Sequence, residues 1–428
     1  MDNLPRLLII SNNCLSKTNS NGRILSELLS DYPKERLAQF FIKDGTPDFS
    51  ICDRYYYVSD QQVLNSLKGR DCGTILSQPK PEESGDTSPV PQKHPNKGAA
   101  ARIARNWVWK FGRWNNRRLQ TWIDDFDPEC ILLQSGDSVF MIKLAYRLAR
   151  ERCVPLVVFN SEDYYFKEEN YFQRGFIADR LYRCFIGNYR RHFNRLMDCA
   201  VHSVYMCDSL KELYDNHFRR PSSVIMSSTS LTAHGIESKP PGDKPVFAYL
   251  GNLGLKRYES LCEIGEVLRS ISPDYRLTVY GKTSDLVCLK AFEDCQGVDY
   301  RGFVDYDTVV SVMENADLLF HAESFDPDAV KNIRNAFSTK IADSLAVGVC
   351  FVYYGDGSIE GAKYLLRNDC ACVITDKEEL KDKLVLILRD EALRSHYIRN
   401  ALDTVERNHR ASRNREKMER IIYESTAG

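Results

Sequence analysis

The chain has 428 residues, more than one hydrophobic core usually fills, so two domains are expected. With 43% apolar residues, 27% charged residues and a formal net charge of −1, it has the composition of a soluble globular protein. No global field draws it to nucleic acid or membrane, so such a partner must be met by a local patch. The 14 cysteines show no paired C-x-x-C spacing, which speaks against a zinc site or a secreted disulfide framework and for free thiols in a reducing cytoplasm.

The first apolar run, "RLLIIS" (6–11), is too short for a signal peptide or a membrane span and suits a buried strand. "LAQFFIK" (37–43) reads as a second strand. "SQPKPEESGDTSPVPQKHPNKG" (77–98) has little to bury and is expected as a mobile loop inside the first domain. Strands follow at "ECILLQS" (129–135), "PLVVFN" (155–160) and "CAVHSV" (199–204), with a helical pattern at 138–153. "IESKPPGDKP" (236–245) is a junction. Beyond it, "VFAYLG" (246–251), "YRLTVYG" (275–281), "ADLLFHA" (316–322), "VCFVYYG" (349–355) and "CACVIT" (370–375) repeat the strand pattern. The polar helix pattern of 405–425 has no strand after it and is placed to pack back on the first domain. Alternating strand and helix implies parallel sheets covered on both faces. The expected division is a first domain over 1–239, a second over 240–404 and a C-terminal helix over 405–428.

Ligands of open parallel sheets bind outside the carboxyl ends of the strands, so the loops after the strands hold the candidates. In "GNLGLKRYESLCEIGEVL" (251–268), Gly251 and Gly254 permit a tight turn, and Lys256 and Arg257 stand near the start of a helix. Helix amides with a nearby cation make an anion site; a solvated basic pair beside turn glycines is the plainer alternative. "NAFSTKIADSLAVG" (335–348) repeats the arrangement. Lys340 stands at the positive end of a helix, unfavourable there by roughly 0.3–1 kcal/mol unless a dianion joins it. Otherwise it faces solvent at that small cost. Ser338 and Thr339 can cap the first turn or reach an oxygen-rich ligand. Ile341, Ala342 and Leu345 form an apolar face, and Gly348 stops the helix. One basic helix start binds a phosphate; two can clamp a diphosphate. Asp343 is either a surface carboxylate or an acceptor for the two hydroxyls of a ribose.

In the first half, Glu162 and Asp163 of "VVFNSEDYYF" (157–166) follow a strand. They can orient an acceptor hydroxyl or move a proton, or else cap a helix. Asp137 in "QSGDS" (134–138) is a weaker candidate of the same kind. "DDFDP" (124–128) contains a D-x-D but reads as a loop-to-strand junction, and no metal is assigned.

Taken in order, "YLGNLGLKRYESL", "VYGKTSD", "YRGFVDYDTVVSVMENADLLF" and "NAFSTKIADSLAVG" resemble the C-terminal half of GT-B glycosyltransferases, especially the retaining family 4-like group (glycosyl transferases group 1). The resemblance covers about residues 246–375. The first half is similar in layout, with Asn21-Gly22 after the first strand, which places Gly22 among the donor-binding residues. The resemblance implies an α/β fold of two Rossmann-like domains facing across a cleft, the second holding a nucleotide diphosphate-sugar and the first the acceptor. It implies that Arg257, after Gly251 and Leu253 and beside Lys256, holds the donor diphosphate. Ser338, Thr339 and Lys340 fill the loop whose amides meet that diphosphate. The family's E-x7-E signature falls on Asn335 and Asp343. Asp343 keeps the charge that binds the donor ribose, whereas Asn335 is neutral where the family's glutamate touches the sugar, which leaves sugar and stereochemistry open. GT-B enzymes generally need no D-x-D metal, and no cofactor beyond the nucleotide-sugar co-substrate is implied.

"GAAARIARNWVWKFGRWNNRRLQTW" (98–122) holds all four tryptophans and six basic residues (Arg102, Arg105, Lys110, Arg113, Arg117 and Arg118) and no acid. Ile103, Trp107, Phe111 and Trp114 recur at helical spacing, as in a helix that lies on an anionic membrane. The basic run 180–195 widens the patch; packing on the first sheet with solvated arginines is the alternative. No recognised nucleic-acid module accompanies the charge. The expectation is a cytoplasmic, metal-independent glycosyltransferase, peripheral on the inner face of a membrane, that moves a sugar to a glycan or lipid-linked hydroxyl in surface polysaccharide synthesis. Two alternatives are a nucleotide-sugar 2-epimerase and a degenerate GT-B subunit that binds a partner.

Overall fold

The computed structural model describes residues 4–16, 20–77, 99–167, 175–233 and 245–427. The segment expected to be a mobile loop, apart from residue 77, and nearly all of the junction at 236–245 lie outside the described residues. The chain forms two compact units, Met1–Ile225 with Ser412–Gly428, and Met226–Ala411.

In the first unit the strands are β1 (Leu7–Ser11), β2 (Leu37–Phe41), β3 (Arg54–Tyr57), β4 (Thr74–Leu76), β5 (Cys130–Gln134), β6 (Leu156–Asn160), β7 (Ala200–Tyr205) and β8 (Ser222–Val224). Its helices are α1 (Ser20–Leu28), α2 (Asp60–Ser66), α3 (Ala99–Phe111), α4 (Arg117–Phe126), α5 (Val139–Arg152), α6 (Phe176–Cys199) and α7 (Asp208–Phe218). The strand order is β4-β3-β2-β1-β5-β6-β7-β8, parallel except between β3 and β4. β1, β5 and β6 are buried along their whole length, as strands covered on both faces must be. Leu7, Ile9, Leu132, Val157 and Phe159 share a core with Leu25 and Leu28 of α1 and with Met418, Ile421 and Ile422 near the C-terminus.

The second unit holds β9 (Phe247–Leu250), β10 (Leu277–Tyr280), β11 (Val298–Gly302), β12 (Leu318–Ala322), β13 (Cys350–Tyr354) and β14 (Cys372–Ile374). Between them lie α8 (Arg257–Ile271), α9 (Leu286–Asp294), α10 (Tyr306–Asn315), α11 (Pro327–Ile333), α12 (Thr339–Ala346) and α13 (Glu360–Asn368). After β14 come α14 (Leu380–Arg389) and α15 (Glu391–Asn408), and α16 (Ala411–Ala427) returns to the first unit. The order is β11-β10-β9-β12-β13-β14, all parallel, so the winding reverses between β9 and β12. That reversal opens a crevice at the carboxyl ends of these two strands.

All ten strands read from apolar runs are present. β3, β4, β8 and β11 were not read, and three of them are sheet edges. Edge strands need no continuous apolar run: β11 is "VDYRG" and β8 is "SSV". α16 is held by an Arg415–Asp31 ion pair at 2.5 Å and by Lys417 Nζ donating to the Val224 carbonyl at 2.8 Å.

Where α15 ends, His409 is fully buried. Its Nδ1 donates to the Ser227 carbonyl at 2.8 Å, which leaves Nε2 to accept the Tyr364 hydroxyl at 2.8 Å. Phe337, just before α12, stacks on the ring with centroids 5.8 Å apart. Burial pulls the imidazole down to about 4, against the Ser227 hydrogen bond, which raises it. Folded His409 therefore refuses a proton that the unfolded chain accepts near pH 6.5, so stability falls as pH drops from 6.5 towards 4. From pH 7 to 4.5 this contributes a loss of about 2 kcal/mol. Urea denaturation should show a loss smaller by about that amount in His409→Gln; an equal loss in both proteins would remove His409 as its source.

Candidate active site

The loop after β9 is forced into a tight path. The Tyr249 hydroxyl donates to the Asn252 carbonyl at 2.8 Å, and a Cβ on Gly251 would stand 2.5 Å from that hydroxyl. Leu255 and Lys256 both adopt left-handed backbone, with φ of 59° and 58°. Each costs about 1–2 kcal/mol for a residue with a Cβ, a strain of the kind held at functional sites. This path ends α8 abruptly at its N-terminus, with Lys256 as an N-cap that makes no side-chain capping bond.

Arg257, the first residue of α8, is buried and points into the crevice between β9 and β12. Its Nη2 lies 2.7 Å from Glu323 Oε2, and Glu323 Oε1 lies 3.1 Å from His321 Nε2. Ser260 Oγ donates to the Glu323 carbonyl at 2.8 Å, and His321 stacks on Tyr353 of β13. A Cβ on Gly355, after β13, would stand 2.8 Å from Glu323 Cβ. Burial pushes the Glu323 carboxyl up, but the His321 hydrogen bond and the Arg257 charge outweigh it and hold it below the usual carboxylate range. Burial likewise opposes the Arg257 charge, and Glu323 more than restores it. The cation is thereby fixed in a place that would otherwise expel it. Beside it, Lys256 pairs with Asp326, which caps α11 by accepting from the Asp328 and Ala329 amides at 3.1 and 3.0 Å.

Because β12 and β13 are parallel, α12 must start at the same carboxyl edge of the sheet. Ser338 is its N-cap, but the hydroxyl makes no capping bond, so the first-turn amides receive no side chain from it. Lys340 is exposed, whereas Asn335, Thr339 and Asp343 are half-buried. The Glu360 amide donates to the Arg334 carbonyl at 2.8 Å, which ties the start of α13 to the link that carries Asn335. Gly251, Arg257, Asn335, Ser338, Thr339, Lys340 and Asp343 thus all belong to the second unit and follow β9 or β12. Sequence reading missed His321 and Glu323. The available signal was two ionisable residues at alternate positions where the buried run "LLFHA" ends, one face of a strand tip.

The first-unit candidates occupy carboxyl ends of the other sheet. Gly22 is not a turn residue: it lies in the first turn of α1, where a Cβ would stand 2.1 Å from the Cys14 carbonyl oxygen. Glu162 and Asp163 follow β6. Asp163 Oδ1 accepts the Tyr165 and Phe166 amides at 3.1 and 2.9 Å and the Tyr214 hydroxyl at 3.2 Å, so it shapes the turn that presents Glu162. Asp137 lies 3.5 Å from Arg102. In the D-x-D region, Asp124 pairs with Arg152, and Asp127 ends α4 and pairs with Arg6 at 2.8 Å.

The tryptophan stretch does not present the single apolar face expected of it. Trp114 lies beyond the end of α3 and is buried, its indole donating to the Trp109 carbonyl at 2.6 Å. Trp109 and Trp122 are buried too, Trp109 stacked on Phe140 at 3.8 Å. Trp107 and Phe111 remain outside, each 58% exposed, with Lys110 over both rings.

Residues 262–420 match the family described as Glycosyl transferase-like. No curated protein matches the chain in sequence. Its fold is similar to that of Anabaena Alr3699/HepE, solved in complex with UDP and glucose, at 11% identity over 98% of this chain and 99% of that one, with a TM-score of 0.60. Sucrose-phosphate synthase from Thermosynechococcus elongatus gives 11% identity, 99% and 100% coverage and a TM-score of 0.62. WaaG, a glycosyltransferase involved in lipopolysaccharide biosynthesis, gives 13%, 97% and 99%, and 0.55. The chain has the GT-B fold. On residues 262–420 it carries a glycosyl transferase-like domain.

Removing the charge of Glu323 leaves Arg257 buried without its counter-ion. Glu323→Gln should cost about 3–5 kcal/mol in urea denaturation, the range for breaking a buried pair. A loss below about 1 kcal/mol, the value of a surface pair, would show that the site is wet.

Proposed function

We propose that the protein transfers a sugar, with retention of configuration, from a nucleotide diphosphate donor to a hydroxyl of a glycan or lipid-linked acceptor at the cytoplasmic face of a membrane, in surface polysaccharide synthesis. The observation that carries the donor site is the convergence of the buried Arg257 and the uncapped start of α8 on the crevice where the second sheet reverses its winding. The α12 start with Lys340 lies at the same sheet edge. The UDP bound by HepE is a ligand of the matching chemistry.

Breaking the bond between sugar and diphosphate leaves negative charge on the departing phosphate. Arg257 is already fixed by Glu323 and needs no reorganisation, while Lys340 and the amides of Thr339 and α8 supply the remaining positive potential. Asp343 accepts from the ribose hydroxyls, and Asn335 donates its amide to the sugar where a carboxylate would only accept. Gly22 lets the loop after β1 pack against the first turn of α1. In the first unit, Glu162 orients the acceptor hydroxyl, held by the turn that Asp163 braces.

The acceptor is lipid-linked in this reading because Trp107 and Phe111 present neighbouring rings, centroids 5.4 Å apart, to solvent beside Lys110, Arg113, Arg117 and Arg118, all exposed. α6, which packs on α3, begins with exposed Phe176 and Ile177 and carries exposed Arg180 and Arg183. Aromatic rings with surrounding cations suit an anionic lipid surface. Among the described residues no helix is long and apolar enough to cross a membrane.

Hydrolysis of UDP-glucose and GDP-mannose, followed by release of the nucleoside diphosphate, tests the donor chemistry. Lys340→Ala should lower kcat/KM for the accepted donor by about 10²–10³ without unfolding the protein, since Lys340 is exposed. Undiminished turnover would remove Lys340 from the site. In sedimentation with phosphatidylglycerol vesicles, the Trp107→Ala, Phe111→Ala double variant should lose most binding; unchanged binding would exclude this face.

A further inference from the structure

α8 and the turn before β11 meet at backbone contact. A Cβ on Gly265 would stand 2.7 Å from the Gly297 carbonyl oxygen, and one on Gly297 would stand 2.1 Å from the Gly265 carbonyl carbon. The approach sets Cys262, one helical turn before Gly265, against Cys295, two residues before Gly297. Cys295 Sγ lies 3.7 Å from the Cys262 carbonyl oxygen, and Cys262 Sγ lies 3.7 Å from the Ala291 carbonyl oxygen. Both are free, Cys262 half-buried and Cys295 buried.

We propose that Cys262 and Cys295 are a redox site, closing into a reversible disulfide that staples α8 to the start of β11 when a peroxide reaches them. The neighbouring Cys262 thiol lowers the Cys295 thiol, against burial, and favours its thiolate. The Cys295 thiolate attacks one peroxide oxygen, the O–O bond breaks, and the departing hydroxide takes a proton, leaving a sulfenic acid and water. Cys262 sulfur then attacks the sulfenic sulfur, the S–O bond breaks, and the leaving oxygen departs as a second water carrying the Cys262 proton. Two thiols and one hydrogen peroxide give one disulfide and two waters. Cys288, the nearest other thiol, is buried, and burial raises it, so it is the poorer nucleophile. The bridge would form on the helix that begins with Arg257, but its chemistry does not depend on the ligand bound there.

Tryptic cleavage separates these cysteines onto peptides 258–269, 283–290 and 291–301, one in each. The intact protein is treated with hydrogen peroxide, alkylated, digested without reduction and analysed by mass spectrometry. The expected result is a joined 258–269/291–301 pair, abolished by dithiothreitol, with Cys288 alkylated. In Cys262→Ser the pair should vanish and Cys295 should be trapped by dimedone as a sulfenic acid. Oxidation of the exposed Cys153 and Cys184 while Cys262 and Cys295 remain alkylated would overturn the proposal, as would a link through Cys288.

Discussion

A positive charge buried at the mouth of an open sheet must be held there by something. Arg257 is held by one carboxylate, Glu323, itself braced by His321 and by the backbone after β13. Desolvation of either ion alone is prohibitive, and the pair survives because the two meet in good geometry. Other features of the second unit follow from this constraint. The left-handed pair Leu255–Lys256 turns the chain sharply enough for α8 to begin with Arg257 inside the crevice. Gly355 lets the end of β13 close over Glu323. Asp326 caps α11 and holds Lys256 at the rim. The result is a rigid cation, paired with Glu323, beside a helix start whose amides have no side-chain cap.

Much of this was legible in the sequence because the physical causes were local. The buried strands β1, β5, β6, β9, β12 and β13 read as continuous apolar runs because both their faces are covered. The turn glycines and the basic residues after β9, and the Ser-Thr-Lys start of α12, were readable because helix ends and tight turns carry their chemistry in adjacent residues. Glu323 was not legible. Its partner lies 66 residues away in the chain, and only the reversal of strand order between β9 and β12 brings the two together. β3, β4, β8 and β11 were hidden because edge and near-edge strands need little apolar sequence. Trp114 was misread because spacing alone continued a helix that stops at Phe111, and the turn after it sends the ring inward.

The first unit divides its aromatic residues between two tasks. Trp109, Trp114 and Trp122 build the contact between α3, α4 and the sheet, with Trp109 and Trp114 also giving their indole N–H groups to oxygen partners as burial requires. Trp107 and Phe111 have no such duty and stand in water. Asp163 shows the same economy among the acids: it spends Oδ1 on two amides and a hydroxyl, so the turn after β6 is firm.

The central claim is that the Arg257 crevice and the α12 start bind a nucleoside diphosphate. Thermal unfolding with UDP, GDP, ADP and CMP, in the wild type and in Arg257→Lys and Lys340→Ala, tests it most directly. One nucleoside diphosphate at 100 times its Kd should stabilise the wild type by about 2.7 kcal/mol, and the gain should disappear in both variants. No shift with any of the four, or a shift that both variants retain, would contradict the account.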